Sequence, residues 1–219
     1  DETEVPDWIY TDRRVYDLEM ERIFLGRHWN FVGLECEVPK PGDFIRSYLG
    51  AVPVVVARNE DGAIHVFENR CSHRGVEFCR NYRGNTDRFV CPYHNWTYGS
   101  DGSLIAVPFR RGVKGKGGMP KDFDMAELGL RMFIVTSRNG AVFATACEDM
   151  ESIEDYLGPE TLEAFDTIFP GDEMKLLGIH RNTLPGNWKL YHENLKDPYH
   201  ATLLHTYLTT FGLFVTSNE

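Results

Sequence analysis

Short runs of β-branched and aromatic residues dominate the middle of the chain and predict strands. Three such runs cover residues 43–48, 52–57 and 63–67, and Gly50 and the turn Asn59-Glu60-Asp61-Gly62 separate them. Strands of this length between Gly, Asn and Asp turns are typical of antiparallel hairpins. The pattern therefore predicts a small antiparallel sheet.

The same pattern continues to about residue 147. Residues 89–90 read as a strand, and residues 95–98 and 103–106 flank a Ser-Asp-Gly turn. Residues 131–136 and 141–145 flank an Asn-Gly turn, which is a strong hairpin signal. We therefore expect two more hairpins in this part of the chain.

Helical patterns lie on both sides of these strands. One helix is predicted from Thr11 or Asp12 towards His28, and another over residues 151–169 with a break at Gly158. An alternating run at residues 173–181 predicts one further strand. Helices segregated from antiparallel strands indicate an α+β fold.

Composition narrows the class of protein. With 219 residues, 42% of them hydrophobic, the chain can form one large or two small packed domains. The net charge of −10 argues against non-specific nucleic-acid binding. No apolar run approaches a membrane span, and no secretory segment is recognisable. Five cysteines without a disulfide pattern favour a reduced, cytoplasmic setting.

Four candidate metal ligands occur in two short pairs. Cys71-Ser72-His73 is followed, after seventeen residues, by Cys91-Pro92-Tyr93-His94. Two thiolates and two imidazoles can hold one tetrahedral zinc ion, or a [2Fe-2S] cluster with both Cys on one iron and both His on the other. Zinc knuckles usually place two Cys in one pair, whereas both pairs here are mixed. The cluster is therefore favoured over zinc.

A second group of candidates lies near the end of the sequence. It comprises Glu193-Asn194, Asp197, His200 and His205. Two imidazoles near a carboxylate can form a facial triad for ferrous iron, although such His residues are often structural. Residues five apart on a straight helix point about 140° away from each other. A shared metal therefore requires a helix break, which we expect near Pro198.

Both groups resemble known motifs. The sequences Cys71-Ser72-His73-Arg74-Gly75 and Cys91-Pro92-Tyr93-His94-Asn95-Trp96 resemble the Rieske signature. With Glu193-Asn194-x-x-Asp197-x-Tyr199-His200-x4-His205, the chain resembles large subunits of Rieske non-haem iron aromatic-ring oxygenases. Residues 109–114, 117–120, 153–159 and 204–206 resemble the group that includes salicylate 5-hydroxylase and the terephthalate and anthranilate dioxygenases.

The resemblance implies an architecture and its cofactors. We expect an antiparallel Rieske domain over residues 41–147 and the start of a helix-grip-like (START-like) catalytic domain over residues 148–219. Residues 1–40 would form an arm and helix on the catalytic domain. The implied cofactors are a [2Fe-2S] cluster and a mononuclear Fe(II). Their ligands would be Cys71, His73, Cys91 and His94 for the cluster, and His200 and His205 for the iron.

The resemblance also implies roles for other residues. The third iron ligand is expected to be an Asp beyond Glu219, together with the rest of the catalytic domain. Asp197 matches a carboxylate that accepts hydrogen bonds from a Rieske His, here His94, and from His200 across a subunit interface. The other interpretation of Asp197 is a helix cap. Glu193 and Asn194 are expected to lie beside the iron ligands.

The implied function is that of the oxygenase component of a multicomponent enzyme. It would hydroxylate or cis-dihydroxylate an aromatic carboxylic acid with O2, using electrons from NADH through a flavin reductase, a ferredoxin or both. A homotrimer or an α3β3 assembly is expected. The alternatives are a Rieske ferredoxin-like electron carrier and an oxidative demethylase of the same superfamily. The Gly- and Lys-rich residues 109–119 read as a solvated loop or, alternatively, as a docking loop for an acidic electron-transfer partner.

Overall fold

The computed structural model describes residues 4–197, 200, 204, 205, 210 and 211. The chain forms two compact units, Leu18–Gly178 and the combination of Asp1–Asp17 with Ile179–Glu219. No helix in the described residues is long and apolar enough to cross a membrane. The predicted domain boundaries at residues 40 and 147 remain predictions.

The larger unit, whose residues are all described, contains two antiparallel sheets. Its strands are β1 (Asn30–Leu34), β2 (Asp43–Leu49), β3 (Val52–Arg58), β4 (Ile64–Glu68), β5 (Arg83–Asn85), β6 (Arg88–Val90), β7 (Thr97–Gly99), β8 (Leu104–Ala106), β9 (Met132–Arg138) and β10 (Ala141–Thr145). The seven-stranded sheet has the order β1-β10-β9-β4-β3-β2-β5, and the three-stranded sheet has the order β6-β7-β8. Together with the helices, these sheets confirm the α+β class.

The predicted hairpins are confirmed in register. β2 pairs with β3 across the turn at Gly50, and β3 pairs with β4. β9 pairs with β10 so that Arg138 faces Ala141. The two turn residues, Asn139 and Gly140, have φ values of 49° and 83°, as a tight two-residue hairpin turn requires.

The central strand β3 explains how the sheet is buried on both faces. Side chains alternate along a strand, so Val54 and Val56 enter one apolar cluster while Val55 and Ala57 enter another. The second of these clusters also contains Phe67 of β4 and residues of the three-stranded sheet. The two sheets are therefore held together by one shared core, and the two predicted ligand turns emerge from it.

One helix packs on the other side of the β9–β10 hairpin. α3 (Ile153–Ile168) begins at Ser152, whose hydroxyl accepts a hydrogen bond from the Asp155 N–H. Gly158 interrupts it at φ 70°, which confirms the predicted break. The guanidinium of Arg138 contacts both Glu154 and Asp166 on this helix.

Three features differ from the sequence prediction. Residues 173–181 are not a strand: Leu177 is 93% exposed, and no neighbouring strand among the described residues pairs with this segment. Two strands, β1 and β5, were not predicted. β5 is exposed at every position and so carries no apolar alternation. The helix expected to run towards His28 ends earlier, as α1 (Trp8–Thr11), α2 (Arg13–Glu19) and a π-helical turn at Met20–Phe24.

The smaller unit is organised around α4 (Trp188–Lys196). Asn187 caps its start, where the side-chain oxygen accepts from the Lys189 N–H and the amide donates to the Tyr10 carbonyl. α4 ends at Lys196, with Asp197 in an extended conformation (φ −93°, ψ 96°). The helix therefore ends before Pro198, as a shared metal site requires. Pro198, Tyr199 and Thr206 themselves lie outside the described residues.

Candidate metal centres

The two Cys/His turns have the same backbone construction. The Cys71 N–H donates to the Val76 carbonyl and the Gly75 N–H donates to the Cys71 carbonyl, at 2.9 and 2.7 Å. In the second turn the Cys91 N–H donates to the Trp96 carbonyl and the Asn95 N–H donates to the Cys91 carbonyl, at 2.8 and 2.9 Å.

The fourth residue after each Cys lies in the left-handed region. Gly75 has φ 70° and Asn95 has φ 55°. Gly adopts this conformation without strain, and Asn tolerates it better than most residues. The local sequence thus explains why both segments form the same turn, although their His residues follow the Cys at different spacings.

These turns bring the four predicted cluster ligands together as two like pairs. Cys71 and Cys91 are buried, with 3% and 1% exposure, and their thiols are close enough to influence each other. The imidazoles of His73 and His94 lie nearer the surface, with ring centroids 4.7 Å apart. The sulfur ligands therefore lie inside and the nitrogen ligands outside.

Electrostatics at the sulfur pair favour a bound cation. Burial raises the pKa of Cys91 and the nearby Cys71 raises it further, while backbone N–H groups of Tyr93 and His94 lower it. Two buried thiolates side by side repel each other unless a metal neutralises them. At the nitrogen pair, partial loss of hydration and the neighbouring His94 and Arg74 lower the pKa of His73, which favours its neutral, ligating form.

The paired arrangement fits a two-iron cluster better than zinc. Within the described parts of the chain, no group of three or more His, Cys, Asp or Glu is placed to hold a single ion. A structural zinc ion requires four ligands around one point, whereas each iron of a [2Fe-2S] centre takes only two protein ligands.

An aromatic stack supports the imidazole side of this site. The indole of Trp96 lies parallel to the His73 ring, with centroids 4.7 Å apart and an interplanar angle of 9°. The rings of Phe123 and Trp96 pack edge to face, with centroids 6.1 Å apart. No role was predicted for Trp96, whose signal in the sequence is its place at the end of the motif Cys91-Pro92-Tyr93-His94-Asn95-Trp96.

A hydrogen-bond network supports the sulfur side. The hydroxyl of Tyr98 lies 3.1 Å from Cys71 Sγ, 2.9 Å from Ser72 Oγ and 3.1 Å from the Ser72 nitrogen. Because the Ser72 hydroxyl donates to the Leu128 carbonyl at 2.7 Å, its only hydrogen is already used. The single hydrogen of Tyr98 therefore has two possible acceptors, Ser72 Oγ and Cys71 Sγ, and a Cys71 thiolate is the stronger one because it is charged. Burial raises the pKa of Tyr98, which keeps this donor protonated.

Replacing Tyr98 with Phe is expected to lower the potential of the cluster. A hydrogen bond to the Cys71 sulfur stabilises the reduced cluster more than the oxidised one, because the reduced form carries more negative charge. Loss of a hydrogen bond to a charged group, about 1.4 kcal/mol, corresponds to about 60 mV for a one-electron couple. A redox titration followed by EPR measures the shift.

The matched control for this experiment is Tyr93→Phe. Tyr93 lies against the His94 ring at 3.9 Å, but its hydroxyl makes no hydrogen bond with the described residues. Loss of the Tyr93 hydroxyl should leave the reduction potential of the cluster nearly unchanged. Equal potentials in Tyr98→Phe and Tyr93→Phe proteins would show that the Tyr98 hydroxyl does not act on the cluster.

The smaller unit places His200 and His205 side by side. Their ring centroids are 5.4 Å apart with an interplanar angle of 71°. The Asn194 amide nitrogen lies 3.1 Å from His200 Nε2; since an amide NH2 only donates, Nε2 accepts and the proton resides on Nδ1. The single lone pair of Nε2 thus accepts from Asn194 here, and a metal bound at Nε2 would replace that hydrogen bond. These residues suit two of the three ligands of a facial triad.

Asp197 contacts His200 in two ways. Its Oδ1 lies 3.4 Å from the His200 backbone nitrogen, and its Oδ2 lies 3.6 Å from His200 Nδ1. The second distance is too long for a hydrogen bond, and the buried Nδ1 has no other hydrogen-bond partner in the described part of the chain. The carboxylate thus caps the His200 N–H and lies beside Nδ1 without bonding to it. Glu193 is exposed on α4 and contacts none of these groups.

Comparisons with known proteins identify a family for the segment that carries the Cys/His turns and relatives for nearly the whole chain. Residues 28–116 match the family described as the Rieske [2Fe-2S] domain. The chain is 52% identical to the large oxygenase component of salicylate 5-hydroxylase from Ralstonia sp, over 98% of this chain and 52% of that protein. It is 49% identical to the anthranilate 1,2-dioxygenase large subunit from Burkholderia cepacia, over 98% of this chain and 50% of that protein.

A third relative and one solved structure extend the match. The terephthalate 1,2-dioxygenase terminal oxygenase component subunit alpha 2 from Comamonas sp is 47% identical, over 96% of this chain and 51% of that protein. Naphthalene 1,2-dioxygenase from Rhodococcus sp. matches with a TM-score of 0.81 and 33% identity, over 98% of this chain and 48% of that one. The chain spans about half the length of these relatives. It contains a Rieske [2Fe-2S] domain and is similar, over nearly its whole length, to the large oxygenase subunits of these enzymes.

Proposed function

We propose that this chain is part of the oxygenase component of a multicomponent enzyme that hydroxylates or cis-dihydroxylates an aromatic carboxylic acid. The observation that carries this proposal is the presence of two separate ligand sets in one chain, the Cys/His turns and the His200–His205 pair. A Rieske electron carrier needs only the first set. Aromatic acids are named in the three relatives that are 47–52% identical to this chain.

Each ligand set has one task in this proposal. A [2Fe-2S] cluster held by Cys71, Cys91, His73 and His94 supplies one-electron transfer, and ferrous iron held by His200, His205 and a further carboxylate supplies oxygen activation. In the protein itself, Tyr98 donates to a ligand sulfur and Trp96 fixes the plane of the His73 ring. The electrons come from NADH through a flavin reductase, a ferredoxin or both.

Asp197 has the connecting role in this proposal. It accepts a hydrogen bond from Nδ1 of His200 in its own subunit and another from His94 of a neighbouring subunit. A homotrimer, or an α3β3 assembly with a small subunit, provides that neighbour. The proposed location is the cytoplasm, in line with five cysteines that are all free. Asn194 lies beside the ring of His200, while Glu193 is exposed on α4 and has no role in this proposal.

Iron content and product analysis of the full-length protein test the proposal. We expect about three irons per large subunit, whereas a ferredoxin-like carrier binds about two. With its reductase, NADH and a panel of benzoates, the enzyme should yield ring-hydroxylated or cis-diol products. Two irons and no turnover would favour the electron carrier. Loss of a methyl group from a methoxy- or N-methyl substrate would favour the demethylase.

A further inference from the structure

Positive charge is concentrated in the segment that carries the cluster ligands. Residues 70–121 contain ten Lys and Arg but only three Asp and Glu, a net charge of +7, whereas the whole chain has a net charge of −10. Segregation of this kind produces a local positive potential on an otherwise acidic protein. Such a potential attracts an acidic partner and repels a basic one.

Part of this charge is not neutralised within the chain. Arg70 and Arg88 form ion pairs with neighbouring carboxylates. In contrast, Arg111, Lys114 and Lys116 are exposed and form no ion pair with the described residues. All three lie in residues 109–119, which we call the basic loop.

The backbone of the basic loop is held by tight internal contacts. The Gly112 N–H donates to the Phe109 carbonyl at 2.7 Å, and the Met119 N–H donates to the Arg110 carbonyl at 3.0 Å. A Cβ at Gly112 would lie 2.2 Å from the Lys116 carbonyl oxygen, so this close approach requires glycine. The exposed cations are therefore presented on a defined turn.

Two residues of this loop have a strained backbone conformation. Phe109 and Lys114 have φ values of 56° and 53°, in the left-handed region that disfavours residues other than Gly and Asn. Phe109 is nevertheless 73% exposed and Val113 is 61% exposed. Exposed apolar side chains and exposed cations on one short loop have the composition of a small interface core with a charged rim.

The basic loop is attached to the core that carries the cluster ligands. Met119 and Phe123, at and just after its end, pack on the cluster of residues that includes Cys71 and Cys91. Phe123 in turn contacts Trp96, which stacks on His73. A protein bound at the loop would thus lie next to the residues that support the imidazole side of the cluster.

We propose that the basic loop is the docking site for an acidic electron-donor protein that reduces the Rieske cluster. This inference rests on the proposed function and specifies where its electron donor binds. Phe109 is the apolar anchor, and Arg111, Lys114 and Lys116 attract the donor's carboxylates. One electron leaves the reduced donor, which is oxidised, and reduces the cluster. Transient redox complexes use small interfaces, below about 1,200 Å², so a loop of this size is sufficient.

Charge reversal in the full-length holoenzyme tests this inference. In an Arg111→Glu, Lys114→Glu, Lys116→Glu variant, the second-order rate constant for cluster reduction by a reduced acidic [2Fe-2S] ferredoxin should fall by about tenfold or more at low ionic strength. Stopped-flow absorbance of the cluster measures this rate. The difference from the unmodified enzyme should shrink as salt is added, because screening weakens the attraction.

A second triple variant controls for net charge. Arg22, Lys40 and Lys175 are exposed cations outside the loop, and their replacement by Glu changes the net charge by the same amount. This control should be slowed by less than about twofold if the attraction is local. Phe109→Ala should weaken the complex mainly by faster dissociation, since it removes the anchor and no charge.

Reduction by dithionite separates this inference from the proposed function. Both triple variants should be reduced by dithionite to the same extent, and the dithionite-reduced enzymes should form the same product in a single turnover. If cluster reduction by ferredoxin were slowed equally in both triple variants, or in neither, the loop would not be the docking site. A change of oligomeric mass confined to the loop variant would also overturn it, because a second copy of the chain would then occupy the loop.

Discussion

Replacement of His200 or His205 by Ala in the full-length protein should abolish hydroxylation and remove about one iron per subunit, because a three-ligand site rarely keeps its metal with two ligands. The two imidazoles lie 5.4 Å apart, although their spacing of five residues would separate them on a straight helix. Both residues follow the end of α4 at Lys196. Iron analysis and product formation after addition of substrate, reductase and NADH measure the effect.

The Rieske absorption provides the internal control for these variants. The ligands of the cluster are in a different compact unit of the chain, so the visible spectrum and the two cluster irons should be retained. His180 is an exposed His in the same unit as His200 and His205, so His180→Ala is a matched control and should retain all iron. Full iron content and full activity in both the His200 and His205 variants would refute the assignment of the iron site.

Replacement of Asp197 by Asn is also expected to have a large effect on oxygenation. If Asp197 only capped the chain at the His200 N–H, the substitution would be mild, because Asn caps about as well as Asp, within a few tenths of a kcal/mol. If it bridges two imidazoles, Asn offers one acceptor oxygen and one donor NH2 where two N–H groups each need an acceptor. One ring would then lose its orientation, and oxygenation should fall by orders of magnitude.

Rapid mixing separates these two roles of Asp197. The Asp197→Asn protein should retain both metals, its stability and reduction of its cluster, while reoxidation of the cluster in the presence of substrate and oxygen becomes slow. Asp197→Ala should in addition lose about 1 kcal/mol of stability, since Ala cannot cap. A wild-type rate of reoxidation in the Asn variant would leave capping as the only role.

Local sequence was sufficient for the ligand turns and for most hairpins. Cys71, Gly75 and Asn139-Gly140 determine their own backbone conformations within a few residues, so their positions could be predicted directly. The role of Tyr98 could not be predicted in this way. Its hydroxyl reaches Cys71, 27 residues earlier, only because β7 and the first ligand turn pack into one core.

The errors have a physical cause of the same kind. Residues 173–181 alternate as a strand does, but alternation alone does not supply a partner strand, and the segment does not form a strand. β5 forms without apolar alternation because β2 provides the hydrogen-bonding edge. The helix break near Pro198 was inferred from a requirement for a shared metal, since neither His200 nor His205 carries a local signal of its own.

The repeated construction of the two ligand turns gives the cluster site a direction. Each turn starts with a buried sulfur and ends with an imidazole near the surface, so both turns point the same way. A centre bound between them has an insulated end and a contact end. Proteins that exchange electrons with it must approach from the contact end, whichever partner they are. An electron donor and an electron acceptor of this centre would therefore have to use the same accessible face, either in turn or side by side.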